Sequence, residues 1–251
     1  MSDRVILKLG GSVITDKGAD CAINRTALAG IAAAIAGAGK TQIVVVHGAG
    51  SCGHPEAHRY HLDCGAAAGQ TEGIFVTHRA VSTLNEAVVG ALREAGVPAV
   101  GVHPLHVGFA DKGRLVAFES RHLEQMLALG MVPVIHGDVV MDLSRGACIV
   151  SGDQLVRYLA VALKCTRVGL ATDVPGVLDG GRVVPEITLA SAHTLQIGNS
   201  SHTDVTGGMK GKIDELLGLA AAGIGADIFQ VSHLGDFLAG NDHGGTKVRG
   251  E

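Results

Sequence analysis

Four short aliphatic runs, each closed at once by glycines or a polar turn, constrain this chain more than any other feature. Val5–Leu9 runs into Gly10-Gly11-Ser12, and Gln42–Val46 runs into His47-Gly48-Ala49-Gly50. Val132–Ile135 runs into His136-Gly137-Asp138, and Arg167–Ala171 into Thr172-Asp173. Runs this short and this continuously apolar read as strands buried on both faces, the habit of parallel sheets. Segments with helical spacing lie between them. They are Arg25–Gly37 capped by Asn24, Thr77–Ala95 with Val81, Leu84, Val88 and Leu92 on one face, Ser120–Leu129, Gln154–Leu163 and Gly207–Ala222. Further strands are expected at Pro98–Val102, Asp227–Val231 and Thr246–Arg249, and a short helix at Leu234–Leu238. Leu115–Phe118 reads as a short extended piece, and Val139–Met141 with Cys148–Val150 as a hairpin.

This alternation predicts an α/β fold: a three-layer αβα sandwich around a mostly parallel central sheet. In such sheets ligands sit beyond the carboxyl ends of the strands, which is where the glycine turns fall. The 251 residues suit a single domain, 1–251, made of two merged lobes meeting near residue 150.

Composition removes several function classes. Formal net charge is −4 with no basic stripe interleaved with aromatics, so no nucleic-acid partner is expected. No apolar run reaches the roughly 18 residues of a membrane span. The start, Met1-Ser2-Asp3-Arg4, lacks the pattern of a secretion signal. Five scattered cysteines (Cys21, Cys52, Cys64, Cys148, Cys165) read as reduced thiols in a cytoplasmic protein. The 37 glycines cluster between apolar runs, which points to tight turns and close backbone–ligand approach.

Five segments carry chemistry. Lys8, inside the first apolar run, would cost several kcal/mol to bury alone, so it needs an anionic partner. A phosphate resting on Gly10, Gly11 and Ser12 would supply one, with Lys17 nearby; a lysine snorkelling at a strand edge above a plain turn is the alternative. The loop 47–55 offers consecutive backbone donors and one ring donor, His54. An anion there would raise the His54 pKa. Cys52, His54, His58, His61 and Cys64 are close enough in sequence to suggest zinc, but their spacing fits no common finger. Ser151-Gly152-Asp153 opens a helix whose N-terminus would suit an anion, with Asp153 otherwise a simple cap. Asp173 stands just past a strand, where a nucleotide would rest. Thr206-Gly207-Gly208-Met209-Lys210-Gly211-Lys212 puts two lysines at the positive end of a helix, unfavourable without an anion. Ala34–Thr41 mimics a Walker A loop, but a helix precedes it and a strand follows, the reverse of what a phosphate-binding P-loop needs.

Together these segments resemble the amino acid kinase superfamily from Lys8 to Lys247, and within it the archaeal-type isopentenyl phosphate kinases. The Ile6–Lys17 stretch, the Gly-Ser-x-Gly-His-Pro loop at 50–55, Val132–Asp138, Ile149–Asp153 and Asp204–Asp214 carry the likeness. The loop histidine His54 discriminates, since members that use amino acids generally lack it. Cys52 departs from the aromatic residue common at that position.

The resemblance implies ATP-dependent, in-line phosphorylation of isopentenyl phosphate, with ATP as co-substrate, Mg²⁺ and a homodimer. It assigns Lys8, Lys17, Asp153 and Lys212 to catalysis. Ala49, Gly50, Gly53, His54 and Gly152 would hold the acceptor phosphate in an N-terminal lobe of roughly 1–150. Gly10, Gly11, Ser12, Gly50, Asp173, Gly208 and Lys212, with Lys8, would hold ATP, the nucleotide side lying in a lobe of roughly 151–251. No residue is assigned to bind metal. A kinase for another phosphate or phosphonate such as fosfomycin shares these features. A non-catalytic nucleotide-binding protein would have no need of the four catalytic residues.

Overall fold

The computed structural model describes residues 3–16, 21–39, 42–67, 69–194 and 208–251. The N-terminal part holds β1 (Arg4–Leu9), α1 (Gly11–Ile14), α2 (Arg25–Gly37), β2 (Gln42–His47), α3 (Gly50–Arg59) and α4 (Thr71–Glu94). It continues with β3 (Ala99–Val102), α5 (Pro104–Val107), β4 (Gly108–Asp111), β5 (Arg114–Phe118), α6 (Arg121–Ala128) and β6 (Val132–His136). A hairpin of β7 (Asp138–Asp142) and β8 (Gly146–Val150) leads into α7 (Gly152–Ala162) and β9 (Arg167–Thr172). Then come the short β10 (Leu178–Asp179), β11 (Arg182–Val183) and β12 (Glu186–Thr188), followed by α8 (Gly208–Ala221), β13 (Ala226–Gln230), α9 (Leu234–Ala239) and β14 (Thr246–Arg249).

Eight strands form the central sheet in the order β12-β14-β13-β9-β1-β2-β6-β3. All neighbours run parallel except β13 and β14. Two apolar layers cover it. Period-two alternation sends Val5, Leu7 and Leu9 of β1 toward α2, α4 and α9, where Ile31, Leu84, Val88 and Phe237 pack. Ile6 faces the other way, into a core with Leu155, Leu159, Leu216 and Leu219 of α7 and α8. Lys8 shares the parity of Ile6, so it points to the α7 and α8 side. The three-layer αβα sandwich is as expected from sequence.

Register decides what the turns can do. Leu9 pairs with His47 on one side and Ala171 on the other, and His47 pairs with His136. The ends of β6, β2, β1 and β9 therefore stand in one row. Main-chain bonds stitch the row: Gly10 N–H to Ala171 O at 2.9 Å, Gly48 N–H to Leu9 O at 3.1 Å, and Gly137 N–H to His47 O at 2.9 Å.

Two features depart from the sequence reading. The loop after β2 is largely helical, because α3 begins at Gly50. Helix α4 starts at Thr71 rather than Thr77, running through Gly73. A Cβ on Gly73 would come within 2.6 Å of the Tyr60 side chain, so the glycine that looks like a breaker lets the helix lie flush on Tyr60. A second sheet, β5-β4-β7-β8, extends the expected hairpin. Among the described residues no helix is long and apolar enough to cross a membrane.

Candidate active site

The row of strand ends opens into a cleft of about 620 Å³. Lys8, Gly10, Gly11 and Ser12 line it from β1, Ala49, Gly50, Gly53 and His54 from the loop after β2, and Gly152 and Asp153 from α7. Asp173, Gly208 and Lys212 complete it. Lys17 and residues 203–207 lie outside the described residues.

At the centre, Lys8 Nζ donates to Asp153 Oδ1 at 2.7 Å, and Lys212 Nζ stands 3.9 Å from Asp153 Oδ2. Burial alone would push the Asp153 carboxyl toward its neutral form; Lys8 and then Lys212 overcome it and hold the pKa below its ordinary value. The anionic partner that Lys8 needs is thus supplied first by the protein. Asp153 is not the cap of α7: Ser151 Oγ takes the Gln154 N–H at 3.2 Å and does that work. Lys210 is exposed while Lys212 lines the cleft, so only one of the two helix-start lysines faces a ligand space.

The two glycine turns press against each other. A Cβ on Gly11 would lie 2.4 Å from Gly50 N, and one on Gly152 would lie 3.2 Å from both His47 O and Lys8 Cε. Gly50 has φ +53 and would also bring a Cβ to 2.3 Å from Thr15 Oγ1. Thr15 ties the turns together, donating to Gly11 O at 2.8 Å and accepting the Ser51 N–H at 3.1 Å. It was not singled out from sequence; a buried threonine closing an apolar run was its only signal. In the first turn of α3 the N–H groups of Cys52 and Gly53 already bond Ala49 O, at 3.2 and 3.3 Å, and that of Ser51 bonds Thr15, so Ala49 and Gly50 at the helix start are the amides left to meet a ligand. His54 sits half-buried one turn in.

The cysteines require a correction. Cys52, in the first turn of α3, forms a disulfide with Cys21, so the five are not all reduced thiols. Their Cα atoms lie 4.0 Å apart because the bridge Thr15↔Ile23 folds residues 21–23 back beside the start of α3. Cys64, Cys148 and Cys165 are free, and burial pushes the Cys148 and Cys165 thiols up to about 12. The disulfide and the outward placement of His58 and His61 take the zinc-like cluster apart. The Walker-like segment is the end of α2 followed by β2, a helix then a strand.

The chain as a whole is similar to known proteins. The model of the amino acid kinase family matches residues 3–230. Isopentenyl phosphate kinase of Haloferax volcanii is 43% identical over 249 residues, covering 98% of this chain and 99% of its own. The chain belongs to the amino acid kinase family, with the isopentenyl phosphate kinases. Isopentenyl phosphate kinase of Methanothermobacter thermautotrophicus is 38% identical, again over 98% of this chain and 99% of that one. A solved isopentenyl phosphate kinase superposes with a TM-score of 0.85 at 34% identity, over 97% of this chain and 99% of that one.

Proposed function

We propose that the protein transfers the γ-phosphoryl group of ATP to isopentenyl phosphate, giving isopentenyl diphosphate and ADP. An oxygen of the acceptor phosphate attacks the γ-phosphorus in line as its bond to the ADP oxygen breaks. The observation that carries this reading is the pairing, in one cleft, of Lys8, Asp153 and Lys212 with the His54-bearing start of α3. The discriminating support for the acceptor is that the aligned relatives bear that name over nearly their full length.

The chemistry suits these groups. A phosphate monoester has its second pKa at about 6, so the nucleophile is already ionised at neutral pH and needs no general base. The obstacle is repulsion between anions. Two like unit charges about 4 Å apart repel by about 4 kcal/mol at an effective dielectric of about 20. Lys8 and Lys212, held near the reaction centre by Asp153, oppose that repulsion, and Lys17 is assigned the same role. His54 and the amides of Ala49, Gly50 and Gly152 take the acceptor phosphate, with Gly53 beside them, its own N–H bonded to Ala49 O at 3.3 Å. Gly10, Gly11, Ser12, Asp173 and Gly208 take the nucleotide side. In this reading residues of roughly 1–150 serve the acceptor and roughly 151–251 the nucleotide.

Mg²⁺ enters as the ion of MgATP. Asp153 is engaged by two lysines, and Asp138 by His78 Nδ1 at 2.9 Å. Neither is free to ligate, so ATP oxygens and water would furnish most of the shell. When bound, the ion would neutralise phosphate charge.

An ADP-release assay over isopentenyl phosphate, dimethylallyl phosphate, fosfomycin and amino acids tests the proposal. Turnover strongest with the prenyl phosphates is expected; turnover with amino acids alone would overturn it. The homodimer is tested by light scattering after gel filtration.

A further inference from the structure

Two histidines close two neighbouring strands in the same way. His47 ends β2 and His136 ends β6, and both are fully buried. Each ring turns back on the residue that follows it: His47 Nδ1 lies 3.0 Å from Gly48 O, and His136 Nδ1 lies 3.1 Å from Gly137 O. A carbonyl only accepts, so both Nδ1 atoms carry the proton. Each ring is locked from behind. His47 Nε2 lies 3.0 Å from Asn85 Oδ1 on α4, so an Nδ1–H tautomer of the neutral ring requires the Asn85 amide, whose O and N are interchangeable in assignment, to present its Nδ2–H there instead; His136 Nε2 takes a bond from His103 Nδ1 at 2.9 Å. Burial holds both imidazoles below their ordinary pKa, against the raising effect of the glycine carbonyls, which keeps the rings neutral.

The consequence lies in the next peptide. There are no cis peptide bonds among the described residues, so C=O and N–H of the Gly48–Ala49 unit point in opposite directions. With the Gly48 carbonyl drawn onto the His47 ring, the Ala49 N–H is turned away from that ring. Gly48 and Ala49 both border the cleft. Ala49 precedes the first residue of α3, where an amide has no helical acceptor.

We infer that His47 is a positioning residue for the acceptor: its Nδ1–H holds the Gly48 carbonyl out of the cleft and aims the Ala49 N–H at the acceptor phosphate. His136 steadies the adjacent turn in the same manner, through Gly137, whose own N–H bonds His47 O at 2.9 Å. Without the ring, the Gly48–Ala49 peptide is free to flip. A flip would present a carbonyl oxygen to an anion in place of a donor. The cost falls mainly on the acceptor: of the groups assigned to the nucleotide, Asp173, Gly208 and Lys212 belong to other elements, and only Gly10, Gly11, Ser12 and Gly50 border this turn.

This rests on the acceptor reading above, and the test separates the two. Steady-state kinetics on the full chain would compare the wild type with His47→Leu, His47→Asn and His47→Gln, varying isopentenyl phosphate and ATP in turn. Loss of one hydrogen bond of this kind corresponds to about a tenfold change. His47→Leu should raise KM for isopentenyl phosphate about tenfold or more and leave KM for ATP within about twofold. His47→Asn, whose amide nitrogen reaches the place of Nδ1, should recover most of the loss. His47→Gln reaches past that place and should behave as leucine does. If His47→Leu does not fold, the asparagine and glutamine variants carry the same contrast. Equal loss in those two, or equal loss toward both substrates, overturns the inference while the acceptor reading stands. A wild type that does not turn over isopentenyl phosphate overturns the acceptor reading itself, and the inference with it.

Discussion

Asp153 is the residue on which the proposed reaction centre turns. It is 7% exposed and satisfies one lysine directly and a second at longer range. Replacing it with asparagine removes the carboxylate charge that Lys8 and Lys212 share, and breaking a buried ion pair typically costs about 3–5 kcal/mol. Asp153→Asn is therefore expected to lower both kcat and the urea midpoint at neutral pH. The sign of the pH dependence follows from the depressed carboxyl pKa. The stabilisation is present above the unfolded value of about 4 and is lost as pH falls through the lower folded value. The gap in unfolding free energy between the wild type and Asp153→Asn should thus narrow as the solution is made more acid than about pH 4. A gap that widens there would contradict the assignment. His54 belongs to the same scale, and the proposed function gives it the acceptor phosphate. His54→Ala is expected to raise KM for isopentenyl phosphate by about tenfold or more, the value of a charge-assisted contact, with ATP affinity by titration calorimetry unchanged.

At the scale of elements, the site is two turns pressed back to back and one short helix. Gly11→Ala places a methyl 2.4 Å from the Gly50 nitrogen, and backbone must move to admit it. Activity should fall by an order of magnitude or more while circular dichroism stays close to wild type, since the strands on either side keep their ladders. The Cys21–Cys52 disulfide holds the other side of α3 and closes a loop with a sequence separation of 31. Loop-closure entropy for that length gives about 3–4 kcal/mol as an upper figure. Reduction, or Cys21→Ser, is expected to lower Tm by roughly 5–10 °C in a domain of this size. An unchanged Tm on adding reductant would show that the bridge contributes nothing in solution.

Across the whole molecule, the second sheet reaches the nucleotide-side helix through Glu215 of α8. Arg114 of β5 grips both of its carboxylate oxygens, at 2.9 Å for Oε2, and Arg157 of α7 adds a contact at 3.2 Å. Gly218 makes room, since a Cβ there would sit 2.3 Å from the Arg157 guanidinium carbon. Both arginine side chains are about half exposed, so solvent screening discounts the network; Glu215→Gln should cost about 1–3 kcal/mol by chemical denaturation. None of this network was legible in the sequence, because Arg114, Arg157 and Glu215 look like ordinary surface charges until three separate elements meet. Much else was legible. The four runs closed by glycines or a polar turn gave the parallel sheet and the end of it where the cleft opens, because period and turn chemistry are local properties of the chain. Lys8 announced a buried partner, because an apolar strand cannot hold a lone ammonium. What stayed hidden was which partner that is, the thiol pairing of Cys52 with Cys21, the bridging hydroxyl of Thr15 and the ring locks of His47 and His136. Each of these depends on groups far apart in sequence or on the direction of a single peptide, and only packing of the sheet against its helices fixes those.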